Sequence, residues 1–219
     1  MRGGARSVLV VIIIGLTALA CRVSGAGDTE PQSNGGVLLS DDFSSIQWGT
    51  GTDADSSVEY TNESLHMVVY TENFFVWSKP SDDVYENVHM EVTVLNNGTD
   101  STTAFGLICN LTGDNFYYLG ITPAGQYAIA LASEDKVDVF LTNEDTWGDS
   151  DLILVNAESY RVGADCGKGI LNLYVDGQVV ATAFNDAYLK GQVGVFTWSD
   201  VDAVTTNVSF DDFVMTALP

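Results

Sequence analysis

Two tryptophans stand where flat rings and hydrogen-bonding groups meet: Trp147 in Asn143-Glu-Asp-Thr-Trp-Gly148 and Trp198 in Thr197-Trp-Ser-Asp200. An electron-rich ring packs on the C–H face of a pyranose while polar neighbours take its hydroxyls, so indoles in polar, loop-like settings suit sugar binding. Tyr118, in Asn115-Phe-Tyr-Tyr-Leu-Gly-Ile121, is the third candidate of this kind.

Bond cleavage makes a different demand. Retaining hydrolysis of a glycoside needs two carboxyl groups roughly 5–5.5 Å apart, one to attack and one to protonate the leaving group. The adjacent acids Glu134-Asp135 and Glu144-Asp145 fall on opposite faces of a strand or in a loop, so they cannot cooperate in this way. His66 and His89 both sit inside strand patterns and read as ordinary strand residues. No Gly-x-Ser-x-Gly nucleophile turn and no Cys/His cluster for zinc is present. Catalysis is disfavoured on these grounds, with a pair assembled from distant strands left open.

The chain has 30 acidic and 8 basic residues in 219, a formal net charge of −22. Phosphate backbones are bound by Lys and Arg, so nucleic acid is excluded as a partner, and an anionic lipid surface repels such a domain. Hard cations want oxygen ligands, which makes calcium the candidate ion. Asp149, Asp151, Asp200 and Asp202 are loop carboxylates available to it, although none lies in an EF-hand pattern.

At the N-terminus Arg2 and Arg6 precede an apolar run from Val8 to Ala20 that stops at Cys21. The run is shorter than the roughly 20 residues of a spanning helix and reads as an export signal over residues 1–20. Leu16-Thr17-Ala18-Leu19-Ala20-Cys21 resembles a bacterial lipobox, which would make Cys21 the lipidated first residue of the mature chain. Cleavage at an Ala-x-Ala site formed by Ala18 and Ala20 is the competing reading. Residues 21–37 are rich in Gly and Ser and form a tether with a span of about 20 Å. The expected location is the cell envelope or surface, lipid-anchored or secreted, with the membrane a partner only through the lipid. In that oxidising setting Cys109 and Cys166 are expected to pair, against the alternative of two buried thiols.

Residues 38–219 suffice for one domain. Val88, Met90, Val92 and Val94 alternate with His89, Glu91 and Thr93, and Leu171, Leu173 and Val175 alternate with Asn172 and Tyr174. These are half-buried strands. Turn signals recur about every ten residues, the clearest being Asp176-Gly177, which suits a two-residue type I′ hairpin. Only Asn185 to Lys190 reads as a short helical turn. About twelve short strands so punctuated predict an all-β, two-sheet antiparallel jelly-roll sandwich.

The order Asp41-Asp-Phe43, Trp77-Ser78, Phe105-Gly-Leu-Ile-Cys109, Asn115 to Ile121, Leu171 to Gly177, Gly191-Gln-Val-Gly-Val195 and Phe210-Asp-Asp-Phe213 resembles the concanavalin A-like lectin/glucanase superfamily. More narrowly, it resembles the laminin-G-like domains of bacterial surface lipoproteins. The resemblance implies a jelly roll whose concave face or rim loops bind carbohydrate, a Cys109–Cys166 pair, and Trp48 and Trp77 as packing aromatics. It also implies a structural calcium site where first and last strands meet, from Asp42 or Asp41 with Asp211 or Asp212. The Glu-x-Asp-x-x-Glu motif of the superfamily's laminarinase-type enzymes is missing. The expected function is a non-catalytic carbohydrate-binding module, with a hydrolase on the same fold and a protein-interaction or adhesion module as alternatives.

Overall fold

The computed structural model describes residues 36–134, 136–144, 146–201 and 205–219. The export signal, Cys21 and all but the end of the tether lie outside these residues, as do Asp135, Asp145 and Asp202.

Among the described residues sixteen strands form in chain order. They are β1 (Val37–Asp41), β2 (Gly51–Thr52), β3 (Ser56–Thr61), β4 (Ser64–Val69), β5 (Phe75–Ser78), β6 (Val88–Asn96), β7 (Ala104–Thr112) and β8 (Asn115–Ile121). Then come β9 (Gln126–Ala132), β10 (Val139–Phe140), β11 (Gly148–Asp149), β12 (Ser159–Gly167), β13 (Ile170–Val175), β14 (Gln178–Phe184), β15 (Gln192–Trp198) and β16 (Thr206–Ala217). A nine-stranded sheet runs β14-β13-β12-β6-β16-β4-β3-β2 with β1 also on β16; a seven-stranded sheet runs β10-β9-β8-β7-β15-β5 with β11 also on β9. All pairings are antiparallel. This is the expected two-sheet jelly roll.

Alternation decides which face each strand buries. In β6 Val88, Met90, Val92 and Val94 are buried and His89, Glu91 and Thr93 point away from the core. Facing them across the sandwich are Phe105, Leu107 and Cys109 of β7 and Tyr117, Leu119 and Ile121 of β8. Each such buried side chain contributes roughly 1.5–3 kcal/mol. The β13–β14 hairpin turns at Asp176 and Gly177, with φ of 49° and 76°, as the dipeptide predicts. Cys109 and Cys166 are joined, tying β7 to β12 and hence one sheet to the other over a separation of 57 residues. On the chain-entropy model a loop of that length stabilises by about 4 kcal/mol.

Two expectations are corrected. Asn185 to Lys190 forms no helical turn, because Asn185 Oδ1 instead accepts from the Tyr117 hydroxyl (2.6 Å) and the Ala187 N–H (3.0 Å). Trp48 packs in the core as expected, against Phe43 and Phe213, with its indole N–H donated to Asp41. Trp77 does not: it is 38% exposed, since its neighbours Val76 and Ser78 take the inward positions of β5.

An aromatic groove as the candidate ligand site

Most strands of the seven-stranded sheet are apolar at both parities. In β8 the odd residues enter the main core, while Phe116 and Tyr118 join Ala104, Ile108, Ala130 and Phe196 in a second cluster on the other face. A strand that is apolar on both faces must be covered on both. Here the outer face is only partly covered, and what remains is an open groove of about 610 Å3. Eight aromatic side chains line it: Phe75, Trp77, Phe116, Tyr118, Phe140, Trp147, Phe196 and Trp198.

The floor is shaped by glycine. Gly120 pairs with Gly106, which pairs in turn with Phe196, so two residues without side chains lie beside one large ring. A Cβ on Gly120 would stand 2.6 Å from Phe196 Cζ, so the ring occupies the space that a side chain would take. Phe196 then stacks on Phe75 at 4.8 Å and 13° and meets Tyr118 edge-on at 5.6 Å. These are favourable aromatic geometries that fix the floor as a unit.

One wall is the segment between β9 and β11. β10 pairs Phe140 with Ala130, and β11 pairs Gly148 with Tyr127, so both ends of the segment are sewn to β9. Between them Asn143 and Glu144 adopt positive φ, 57° and 50°. Asn143 accepts from the Tyr127 hydroxyl at 2.9 Å and fills the place a Gly148 side chain would need. Trp147 is thereby carried to the mouth of the groove, edge-on to Phe140 and parallel to Trp198. Trp198, expected in a loop, ends strand β15.

Polar groups are few. Asn73 and Asp138 line the groove with Tyr118, whose hydroxyl lies near enough to the Asp138 carboxyl for each to perturb the other. Burial lifts the Tyr118 phenol well above its ordinary range, and the nearby Asp138 charge lifts it further. Much of Asp138 is exposed, yet the aromatic walls shield its carboxyl enough to raise it, against the opposing effect of the Tyr118 hydrogen bond. Among the described residues Asp138 is the one carboxylate lining the groove, so no second acid faces it there.

The structure thus brings Trp147, Trp198 and Tyr118 into one groove. Phe75, Trp77, Phe116, Phe140, Phe196, Asn73 and Asp138 were missed. The legible signal was aromatic occupancy of both parities in Phe116-Tyr-Tyr118 and of alternate outer positions in Phe196-Thr-Trp198.

The candidate calcium residues lie elsewhere, where β1 and β16 pair. Both Asp41 oxygens are occupied, one by the Phe43 N–H (2.8 Å) and one by the Trp48 indole (2.9 Å). Asp212 sits at positive φ in the bulge between Asp211 and Val214. Asp211 is raised by burial and then by the charges of Asp212, Asp42 and Glu63. The donor chemistry suits a hard cation, while among the described residues no three acids, His or Cys converge into one shell. Asp149 lies in β11, Asp151 just after it and Asp200 just after β15, strands of the other sheet. His89 is held between Asp165 and Glu91, and His66 bonds Asn207 at 2.8 Å.

No family model matches this chain, and no curated protein does. Among solved structures it is similar to the carbohydrate binding module CBM66 from Bacillus subtilis, at TM-score 0.59 and 14% identity, covering 78% of this chain and 96% of that one. A Bacillus subtilis protein of unknown function with a galectin-like fold gives TM-score 0.62 and 11% identity, covering 84% and 97%. A Bacillus licheniformis beta-glucanase gives 0.58 and 12%, covering 85% and 100%. At these identities the likeness establishes the fold alone, an antiparallel two-sheet jelly roll.

Proposed function

We propose that this protein is a non-catalytic, laminin-G-like carbohydrate-binding module that works outside the cytoplasm, anchored through a lipid on Cys21. The single observation that carries the binding reading is the eight-ring groove on the face of the seven-stranded sheet turned away from the core. Trp77 is 38% exposed and Trp147 and Trp198 are half-buried at this groove, and ring faces left open in a groove are what pyranoses stack on. The non-catalytic reading is supported by Asp138 standing as the lone described carboxylate in the groove. The export signal and lipobox-like run support the location.

A structural calcium held by Asp42, Asp211 and Asp212 belongs to the same proposal. Its support is the repulsion that Asp212, Asp42 and Glu63 impose on Asp211, which a bound divalent cation would relieve.

The test is co-sedimentation of the mature domain with a panel of insoluble and soluble polysaccharides, with reducing ends assayed in the same tubes. Retention that is lost in Trp147→Ala plus Trp198→Ala, without released sugar, supports the module. Sugar release abolished by Asp138→Asn would instead make the protein a hydrolase. Retention of no polysaccharide at all removes the carbohydrate reading.

A further inference from the structure

Resting on the carbohydrate reading, we propose that the glycan taken by this groove carries a protonated amine, as a glucosamine-containing chain does. A neutral sugar asks its site for ring faces and for many hydrogen-bond partners to its hydroxyls. Among the described residues this groove supplies the first in excess and the second sparingly: its polar lining is Asn73, Asp138 and the Tyr118 hydroxyl, which lies near Asp138. What it does supply is a cation's environment. Indole and phenol faces attract an ammonium through the ring quadrupole, and the effect grows as water is excluded.

Asp138 gives that environment a counter-ion. Its carboxylate is oriented by Tyr118, and no Lys, Arg or His among the described residues lines the groove or forms an ion pair with it. Asp138 stays largely exposed and the aromatic walls shield it only in part, so its charge is open to a positive group entering the groove and acts there in a setting less aqueous than bulk solvent. A ligand ammonium between Asp138 and the tryptophan faces would satisfy both.

The wider charge agrees. Among the described residues, the segment from Glu134 to Asp151 carries Glu134, Asp138, Glu144, Asp149 and Asp151 against Lys136, within a chain of net charge −22. Such a field concentrates cations at the mouth and turns away uronic or sulfated chains.

The experiment compares three β-1,4-linked hexasaccharides of one backbone that differ only at C2: hydroxyl, acetamido and ammonium. Binding is followed by calorimetry at about pH 6 in low salt, where the amine is protonated. The glucosamine hexamer is expected to bind at least about tenfold more tightly than the hydroxyl form. That advantage falls to near unity in Asp138→Asn and in high salt, whereas Trp198→Ala weakens every oligomer that binds. Asp176→Asn, in the β13–β14 hairpin of the other sheet and outside the groove lining, serves as the charge control and leaves the ratio unchanged, and circular dichroism verifies that each variant is folded. Equal or tighter binding of a neutral oligomer, with Asp138→Asn without effect, overturns the charged-ligand inference and leaves the carbohydrate reading standing. Failure of all three oligomers, together with failure of the polysaccharide panel, overturns both.

Discussion

The rings of Trp147 and Trp198 lie parallel to within 2°, with centroids 6.3 Å apart, although 51 positions of sequence separate them. Their supports are unlike. Trp198 is the last residue of β15, fixed by pairing with Ala104 on one side and Phe75 on the other. Trp147 hangs from a segment held by Asn143, Tyr127 and the short pairing of β11. One ring is set by a central strand and the other by a pinned loop, so the loop decides whether the pair is aligned.

Truncating either indole therefore weakens ligand binding about tenfold, or about 1.4 kcal/mol. The double variant is expected to lose less than the sum, because the second ring is of little use once its parallel partner is gone. Asn143→Ala reproduces most of the Trp147→Ala loss without touching ligand. A double-mutant cycle by calorimetry measures this, and strict additivity would show that the two rings act separately.

The glycines of the floor make a stability prediction. A Cβ on Gly106 would lie 2.1 Å from Leu119 O and 2.8 Å from Gly120 Cα, both backbone atoms that cannot turn aside. On Gly120 the clash is with the Phe196 ring, which can shift. Gly106→Ala is expected to destabilise by about 3 kcal/mol or more, and Gly120→Ala by about 1–3 kcal/mol. Only Gly120→Ala, displacing the floor ring in a domain that still folds, lowers affinity beyond its effect on stability. Urea denaturation alongside binding separates the two.

How much of this was readable beforehand follows from periodicity. The alternating β6 and β13 gave their faces directly, because one side of each meets core and the other meets water. The Asp176-Gly177 turn and the Cys109–Cys166 pair were equally local or chemical in origin. Trp77 failed because a tryptophan that lines a groove and one that fills a core look alike in sequence; what separates them is the parity of Val76 and Ser78 and the pairing of Trp77 with Phe196. Asp138 was invisible for a related reason. Its meaning comes from Tyr118, which lies two strands away in the sheet and 20 positions earlier in the chain.

Calcium gives the third prediction. Asp211 is raised by burial and by three acidic neighbours, Asp212, Asp42 and Glu63, so a divalent cation bound there removes a standing repulsion. Millimolar calcium is expected to raise the melting temperature by several degrees through linkage, and Asp211→Asn to abolish the response while raising the metal-free value slightly. Magnesium, which demands tighter octahedral geometry, has a smaller effect. Melting curves that coincide with and without calcium would remove the ion from this corner.

The outer face of the nine-stranded sheet holds an ion network with a calculable pH signature. His89 Nδ1 lies 2.6 Å from Asp165 Oδ1 and its Nε2 lies 3.4 Å from Glu91 Oε1; these hydrogen bonds raise the imidazole from 6.5 to about 9 despite partial burial. Glu91 is lowered, chiefly by His89 and also by Arg161. Burial pushes Asp165 up, but hydrogen bonds from His89, Tyr174 and Asn172 outweigh it and leave the carboxyl low. Because the folded histidine holds its proton more tightly than the unfolded one, its stabilisation is complete below about pH 6.5 and is lost as pH rises through about 9. The carboxylates act in the opposite sense, contributing above about pH 5 and failing on acidification. After allowance for solvent screening the histidine contributes about 1–2 kcal/mol. The melting temperature is therefore expected to fall between pH 6.5 and 9.5 in the wild-type domain and to stay nearly level in His89→Gln, which keeps a hydrogen-bonding side chain but cannot titrate. A wild-type melting temperature that is flat across that interval would mean that His89 is neutral between its two acids.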